Sequence, residues 1–559
     1  ASDVYKRQVE TMKKKNFFML ALAAIAFAAC SNEDIVPGGK DNNDVVNLDG
    51  DAWVALSVQS TKTRALNTPN QDNGTADESN ITAVKAVFFD GHVNTSVVTK
   101  IVTFSDEDIN NLPNRTSAFK VPSTSKAVLI IANPQNLART IKEGDKYEDV
   151  NEIVTLSTEA EVTTGVAKSG GFVMTNAKGD LEPSESDGTA KNLALYSTAI
   201  AATNSPLTIR IDRISAKVRV YVKADSGDDD DLSDNATIDK VNTKWYLNVT
   251  NKKFFPASKR IKTAMNSWTP YDQYSIGSYR QDPNYEDSNI GKWVSSTNHS
   301  DYDLNYFYVT SATNSITWND LATAKYCLEN TQEEGYNVHA YTTHVLLKVF
   351  YAPTTIKNQD ESKVTLLNGE DWFNMNGVFY TPASVLTHIE EELTRKYKSG
   401  EPAEYPTGIT DLYNEFIEAL GEGDDTLNPV NIPAAKDDAK TPEQMASDIK
   451  DEFAALAGKI ATKSAGGKTL KTVEYYSKGI CYYKIMIKHD DSPTIMNKLG
   501  EFGVVRNSVY DITVNKIDNP GYPSIPDPDP ITPDEEEDRY LSIKIEVNPW
   551  TWYSQVEPL

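Results

Sequence analysis

A chain of 559 residues is too long for one hydrophobic core, so at least two domains are expected. A hydrophobic share of 39% suits globular domains and is too low for a membrane protein. The net charge of −25 argues against nucleic acid or anionic lipid as a partner; its plainest meaning is a surface that stays soluble. Tyr is frequent, and Thr, Val and Ile recur in short runs bounded by Gly, Pro, Asn and Asp, a texture that leans towards β structure.

Residues 1–11 precede the first Met and read as non-native or read-through sequence. Met12 opens a leader: Lys13, Lys14 and Lys15, then an apolar run from Phe17 to Ala29. The run is too short to span a bilayer and suits a signal peptide over 12–30. Small residues lead into Cys30, which points to lipidation there; ordinary secretory cleavage beside an incidental Cys is the alternative. Cys327 and Cys481 remain in the body, either as one disulfide or as two buried thiols.

Residues 53–59 read as a short strand with Val54, Leu56 and Val58 on one face. Polar, Pro- and Asn-containing sequence follows, so the Arg64–Ala65 bond is expected in exposed, mobile chain, where nicking concentrates. Strands are expected at 81–90, at 127–132 and across 207–222, with a short helix at 148–157. The acidic run 225–234 is read as a linker and domain boundary; it lacks the ligand spacing of a calcium loop.

Beyond it, strands are expected at 237–249, 304–310, 341–351, 363–367, 377–381, 473–489 and 504–517. Between them, Ile389 and Leu393, then Leu412, Phe416 and Leu420, then Met445, Ile449, Phe453 and Leu456 keep helical spacing. Thr441-Pro442-Glu443-Gln444 has the form of a capping box, so a helical insertion is predicted over about 383–465. Residues 518–539 are Pro-rich and acidic and read as an extended tether with nothing to pack on. It ends in a strand with Leu541, Ile543, Ile545 and Val547 on one face, followed by Pro549, Trp550 and Trp552.

Catalytic signals are missing. No two of His92, His299, His339, His344, His388 and His489 form a metal-ligand pair, and all six read as surface or loop residues. There is no phosphate loop, no nucleophile elbow and no zinc-protease motif. The tyrosine pairs at 475–476 and 482–483 read as sheet surface and core in preference to a sugar platform. No enzyme, no cofactor and no metal are expected.

Assembly fits better. If 53–59 pairs within the first domain, a cut after Arg64 lets it leave and opens a groove with unpaired backbone. The terminal strand of another copy could fill that groove by strand addition. Burying its four aliphatic side chains is worth roughly 6–12 kcal/mol gross. Head-to-tail repetition does not close on itself and gives a filament.

The sequence resembles the Bacteroidetes fimbrillins, and in particular the major subunit of the Mfa-type short fimbriae, or type V pili. The resemblance rests on the leader with Arg64-Ala65 downstream, ITAVKAVFFD (81–90), AVLIIANP (127–134) and IDRISAKVRV (211–220). It continues in Tyr326 to Thr331, GEDWFNMNGVFY (369–380), KGICYYKIMIKH (478–489), GVVRNSVYDITVNKI (503–517), PDPDP and IEVNPWTWYSQ (545–555). It implies a mainly β fold of two sandwich-like (transthyretin-like) domains, 65–224 and 235–517, with the tethered strand at the end. It also implies export as a lipoprotein acylated at Cys30 and a propeptide over 31–64. An Arg-specific surface protease would cleave at Arg64–Ala65, and 540–559 would be the donor. The expected product is a stalk subunit of a cell-surface fimbria serving adhesion and biofilm formation. Its precursor would be held at the outer membrane, with anchor and tip subunits as further partners and an unnamed receptor. An accessory subunit or a monomeric glycan-binding lipoprotein is the alternative.

Overall fold

In the computed structural model, the described residues run from 50 to 551. The longer internal stretches outside them are 61–71, 182–191, 224–231, 260–278, 357–368, 392–438, 452–467, 491–499 and 535–540. The chain is mainly β. Two compact units divide it: Ala1–Thr61, Ile81–Asn151 and Met174–Ile211 form the first, and Lys62–Asn80, Glu152–Val173 and Asp212–Leu559 form the second. The division falls at Ile211, upstream of the acidic run. The physical reason is that 207–222 is two strands, broken at Ile214, whose halves join different sheets.

The first unit opens with β1 (Asp51–Val54) and β2 (Leu56–Ser60); β3 (Asp72–Asn73) follows but belongs to the second unit. Then come β4 (Val84–Phe89), β5 (Val98–Thr103), β6 (Phe119–Pro122), β7 (Ala127–Ala132), β8 (Met174–Asn176) and β9 (Leu207–Arg213). Six of these form a sheet in the order β2-β9-β8-β7-β4-β5, while β1 pairs antiparallel with β6. Every residue of β7 is buried, as a continuous apolar run requires when both faces of a strand are covered. The expected helix at 148–157 is shorter, Tyr147–Val150, and gives way to a two-residue strand, Val154–Thr155.

The second unit is built from β10 (Ser215–Val222), β11 (Lys244–Asn248), β12 (Lys325–Leu328), β13 (His344–Pro353), β14 (Trp372–Met375), β15 (Glu474–Tyr476), β16 (Ile480–Met486), β17 (Ser508–Ile517) and β18 (Leu541–Thr551). One sheet runs β12-β10-β17-β18-β3. In another, β13 lies between β11 and β16. Period-two alternation turns Ala216, Val218 and Val220 of β10 and Tyr510, Ile512 and Val514 of β17 towards one core. That core also takes Trp245, Leu347, Cys481 and Tyr483 from the other sheet, so the two sheets share it. Trp372 stacks on Tyr476 within it, 3.9 Å between centroids and 12° between planes. Most of 383–465 lies outside the described residues, as do all nine of its helically spaced apolar positions. Its capping box is formed: Thr441 and Gln444 exchange backbone-to-side-chain bonds of 2.9 and 3.2 Å.

The tether does pack, against expectation. Tyr522 and Tyr482 exchange backbone bonds of 2.8 Å, and the backbone N–H groups of Ala340 and His339 donate to Asp529 and Thr532. A proline-rich segment keeps its carbonyls and its remaining N–H groups, and those suffice where a strand end and a loop offer partners. Gly521 makes the approach possible, because a Cβ there would sit 2.3 Å from the Tyr482 carbonyl oxygen.

Cys327 and Cys481 are buried free thiols. Burial pushes the Cys327 thiol up to about 12 and the Cys481 thiol well above its ordinary value. Neither should react with a thiol reagent at about pH 8 in the native protein, and both should react in concentrated urea. Peptide mass mapping of the labelled sites checks this.

Candidate functional site

The leading strands are covered more completely than one apolar face requires. Val54, Leu56 and Val58 are fully buried, so are Ala52 and Ala55, and Ser57 nearly so. The stretch is not one strand. It breaks at Ala55, so β1 joins β6 while β2 runs parallel to β9, from Leu56 opposite Leu207 to Ser60 opposite Ile211. A short antiparallel bridge ties Trp53 to Tyr196. β2 therefore occupies an edge of the six-stranded sheet, with Gln59 half-buried near its end. Arg64, Ala65, Cys30 and Trp552 lie outside the described residues.

The terminal strand lies on its own chain. β18 pairs antiparallel with β17, from Ser508 opposite Pro549 to Ile517 opposite Leu541, with a bulge near Asn515. Leu541, Ile543, Ile545 and Val547 pack, partly buried, against the shared core. Ser542 and Lys544 face out. At its far end Trp550 and Thr551 pair in parallel with Asp72 and Asn73 of β3.

That last contact involves a segment that the polar sequence after Arg64 predicts to be mobile. Residues 72–80 are ordered. Thr75 and Glu78 form a capping box on α1 (Ala76–Ser79), with Thr75 N–H on Glu78 Oε2 at 2.7 Å and Glu78 N–H on Thr75 Oγ1 at 3.2 Å. Thr75-Ala76-Asp77-Glu78 was the signal available in the sequence. What fixes the segment is long-range charge. Alternation sends Lys217 and Arg219 of β10 to the sheet face opposite the core, and Asp511 of β17 lies in register with Arg219. Lys217 Nζ reaches Asp72 at 3.4 Å and Glu78 at 3.1 Å. Arg219 meets Asp72 at 2.6 Å and grips Asp511 with bonds of 2.6 and 2.7 Å. The buried Arg213 guanidinium donates to Glu78 O at 2.9 Å and Ser79 Oγ at 3.1 Å.

Burial raises the cost of ionising Glu78. The Thr75 N–H, Lys217 and the Tyr326 hydroxyl outweigh it and hold the carboxyl below its ordinary value. Desolvation lowers the Arg213 guanidinium to about 10, which leaves it charged at neutral pH.

The other sequence candidates fall into the core. Tyr475, Tyr476 and Tyr483 are fully buried, and Tyr482 partly so. His339, His344 and His489 are buried, contrary to their reading as surface or loop residues, because each finds a polar partner. Lys484 donates to His339 at 3.0 Å, Tyr510 meets His489 at 2.8 Å, and His344 lies between Asn248 and the Thr342 carbonyl. Among the described residues, no group of three or more His, Cys, Asp or Glu could hold a metal ion. An open cleft of about 450 Å³ is lined by Lys252, Trp293, His299, Asp303 and Tyr308 among others. In it Asp303 already binds the Tyr308 hydroxyl at 2.7 Å and His299 at 2.9 Å.

Residues 52–213 match the family model described as "Major fimbrial subunit protein (FimA)". Residues 474–556, which hold β15 to β18, match "Major fimbrial subunit protein type IV, Fimbrillin, C-terminal". Two stretches of the chain, one near each end, thus match models of fimbrial subunits. Among solved structures it is similar to a fimbrilin (fimA) from Porphyromonas gingivalis W83, at 14% identity and TM-score 0.36, covering 90% of this chain and 99% of that one. A putative cell adhesion protein from Parabacteroides distasonis gives 12% and 0.34, covering 90% and 98%. The tip fimbrial protein Mfa3 from P. gingivalis gives 9% and 0.31, covering 89% and 100%. No curated protein matches the sequence.

Burial lowers the His344 imidazole to about 3, with Lys484 and His339 adding to the effect and the Thr342 carbonyl opposing it. The unfolded chain takes up that proton near its ordinary value of about 6.5. Stability should therefore fall as pH drops from about 6.5 towards 3, by up to ~1.4 kcal/mol per pH unit from this group. Urea midpoints measured between about pH 4 and 7 should show a shallower slope in His344→Gln.

Proposed function

We infer that this chain is a fimbrillin and a stalk subunit, exported as a lipoprotein acylated at Cys30, cut at Arg64–Ala65 and polymerised by strand exchange. The observation that carries the reading is the position of β18. Among the described residues it is the last long strand, and it lies outside β17, bonded to β3 at Trp550 and Thr551. Such a strand can leave without unthreading anything. The leading strands match it from the other side. β1 and β2 precede Arg64, sit at a sheet edge and fill a fully buried track. A cut after Arg64 frees both from the rest of the chain.

β18 of the next copy then takes their place beside β6 and β9, with Leu541, Ile543, Ile545 and Val547 in the space vacated by Val54, Leu56 and Val58. The partners are further copies head to tail, anchor and tip subunits, and an Arg-specific surface protease. The precursor is anchored in the outer membrane, and the polymer serves adhesion.

Deleting residues 540–559 should abolish long surface polymers in cells that lack other fimbrillins, as seen by electron microscopy and by ladders on mild denaturing gels. Long polymers persisting without those residues would rule out the exchange. Arg64→Ala should leave a monomeric lipoprotein, and polymerisation at the wild-type level would rule out cleavage as the trigger.

A further inference from the structure

Residues 72–79 do more than continue the chain after the cut. They lie against the end of the strand that has to leave. β3 pairs with Trp550 and Thr551, directly beyond the residues of β18 that pair with β17, so the far end of β18 is held by β3. β3 is only two residues long, and two backbone pairings alone do not hold a segment in place. Its hold comes from the carboxylate of Asp72, which sits between Lys217 at 3.4 Å and Arg219 at 2.6 Å. Behind it, Glu78 takes Lys217 and the Tyr326 hydroxyl, and Arg213 takes the Glu78 carbonyl.

We propose that residues 72–79 form a clasp that retains β18 on its own chain, locked by Asp72 between Lys217 and Arg219. The purpose assigned to the clasp rests on the strand-exchange reading, but its geometry does not. The clasp lies downstream of Arg64, so cleavage does not cut it away. Cleavage frees β1 and β2, whereas the donor strand is held by a separate set of contacts in the second unit. Acceptor and donor are thus released by different events. A freshly cut subunit does not lose its terminal strand merely because its groove has opened.

Hydrogen exchange on the full chain, before any cleavage, tests this. In Asp72→Asn both cations keep a carboxylate, Lys217 through Glu78 and Arg219 through Asp511, so the fold is retained. Loss of a charge-assisted bond of ordinary strength should speed exchange of the amides of 541–551 by about tenfold or more. The amides of β13 should stay as protected as in the wild type. Glu107→Gln, at an exposed helical position of the first unit, should change neither. Unchanged exchange at 541–551 in Asp72→Asn, with the substitution confirmed, would overturn the clasp. If Asp72→Asn also loosens β13, Arg219→Lys replaces it, since it keeps the charge and loses the two-pronged grip; the same two segments then decide. Polymers are not read in this experiment. Polymers that persist without 540–559 would sink the exchange reading and leave the clasp standing, and the reverse outcome is equally distinct.

Discussion

A strand at the edge of a sheet leaves one row of backbone donors and acceptors without strand partners, and β17 raises that problem for the second unit. Its ten residues carry Tyr510, Ile512 and Val514 into the core on one face and Asp511 to the other. β18 answers it by covering the edge along nearly its whole length and by adding four aliphatic side chains to the core margin. The charge cluster, the short β3 and the docked tether all attach to this arrangement. The tether brings the chain to where β18 begins, and β3 meets β18 where it ends. The cluster holds β3 by using the face of β10 and β17 that the core does not need.

Exchange of β18 would trade one set of contacts for another. Val54, Leu56 and Val58 are fully buried, about 5–9 kcal/mol gross on the usual scale. The four aliphatics of β18 are only partly buried where they lie, so their present contacts are worth less than complete burial. A fully covered track in another copy would therefore offer them more than the edge of β17 does. Against this stands the cost of ordering the chain and of association. The driving force of such an exchange would be a difference between two strand placements, and the contacts to β18 would weigh directly in it.

Much of this was legible in the sequence wherever the signal is local. Alternation over 541–547 placed Leu541, Ile543, Ile545 and Val547 on one face, which is the face that meets the core. The continuous apolar run at 127–132 gave a fully covered strand. What stayed hidden depends on partners distant in sequence. Nothing near Leu541 says that its partner is Ile517. Nothing near Asp72 says that Lys217 and Arg219 await it, so a polar stretch with a capping box read as loose chain. The tether misled for a related reason: proline and acidic residues predict an extended chain correctly but not whether a sheet edge lies alongside. The buried histidines were misread because each meets a polar group that lies well away from it in sequence: Lys484 for His339, Asn248 for His344 and Tyr510 for His489.

Docking of the tether has a geometric consequence. With residues 521–534 held against the second unit, β18 is joined to a fixed point at Asp534 by seven Cα steps, about 25 Å when fully drawn out. Peeling the tether back to Gly521 adds thirteen steps, or about 45 Å more. Gly521 and the bonded backbones of Tyr482 and Tyr522 thus divide the reach of the terminal strand into a short and a long range. The centre-to-centre spacing and flexibility of joined copies would follow from which range is in use.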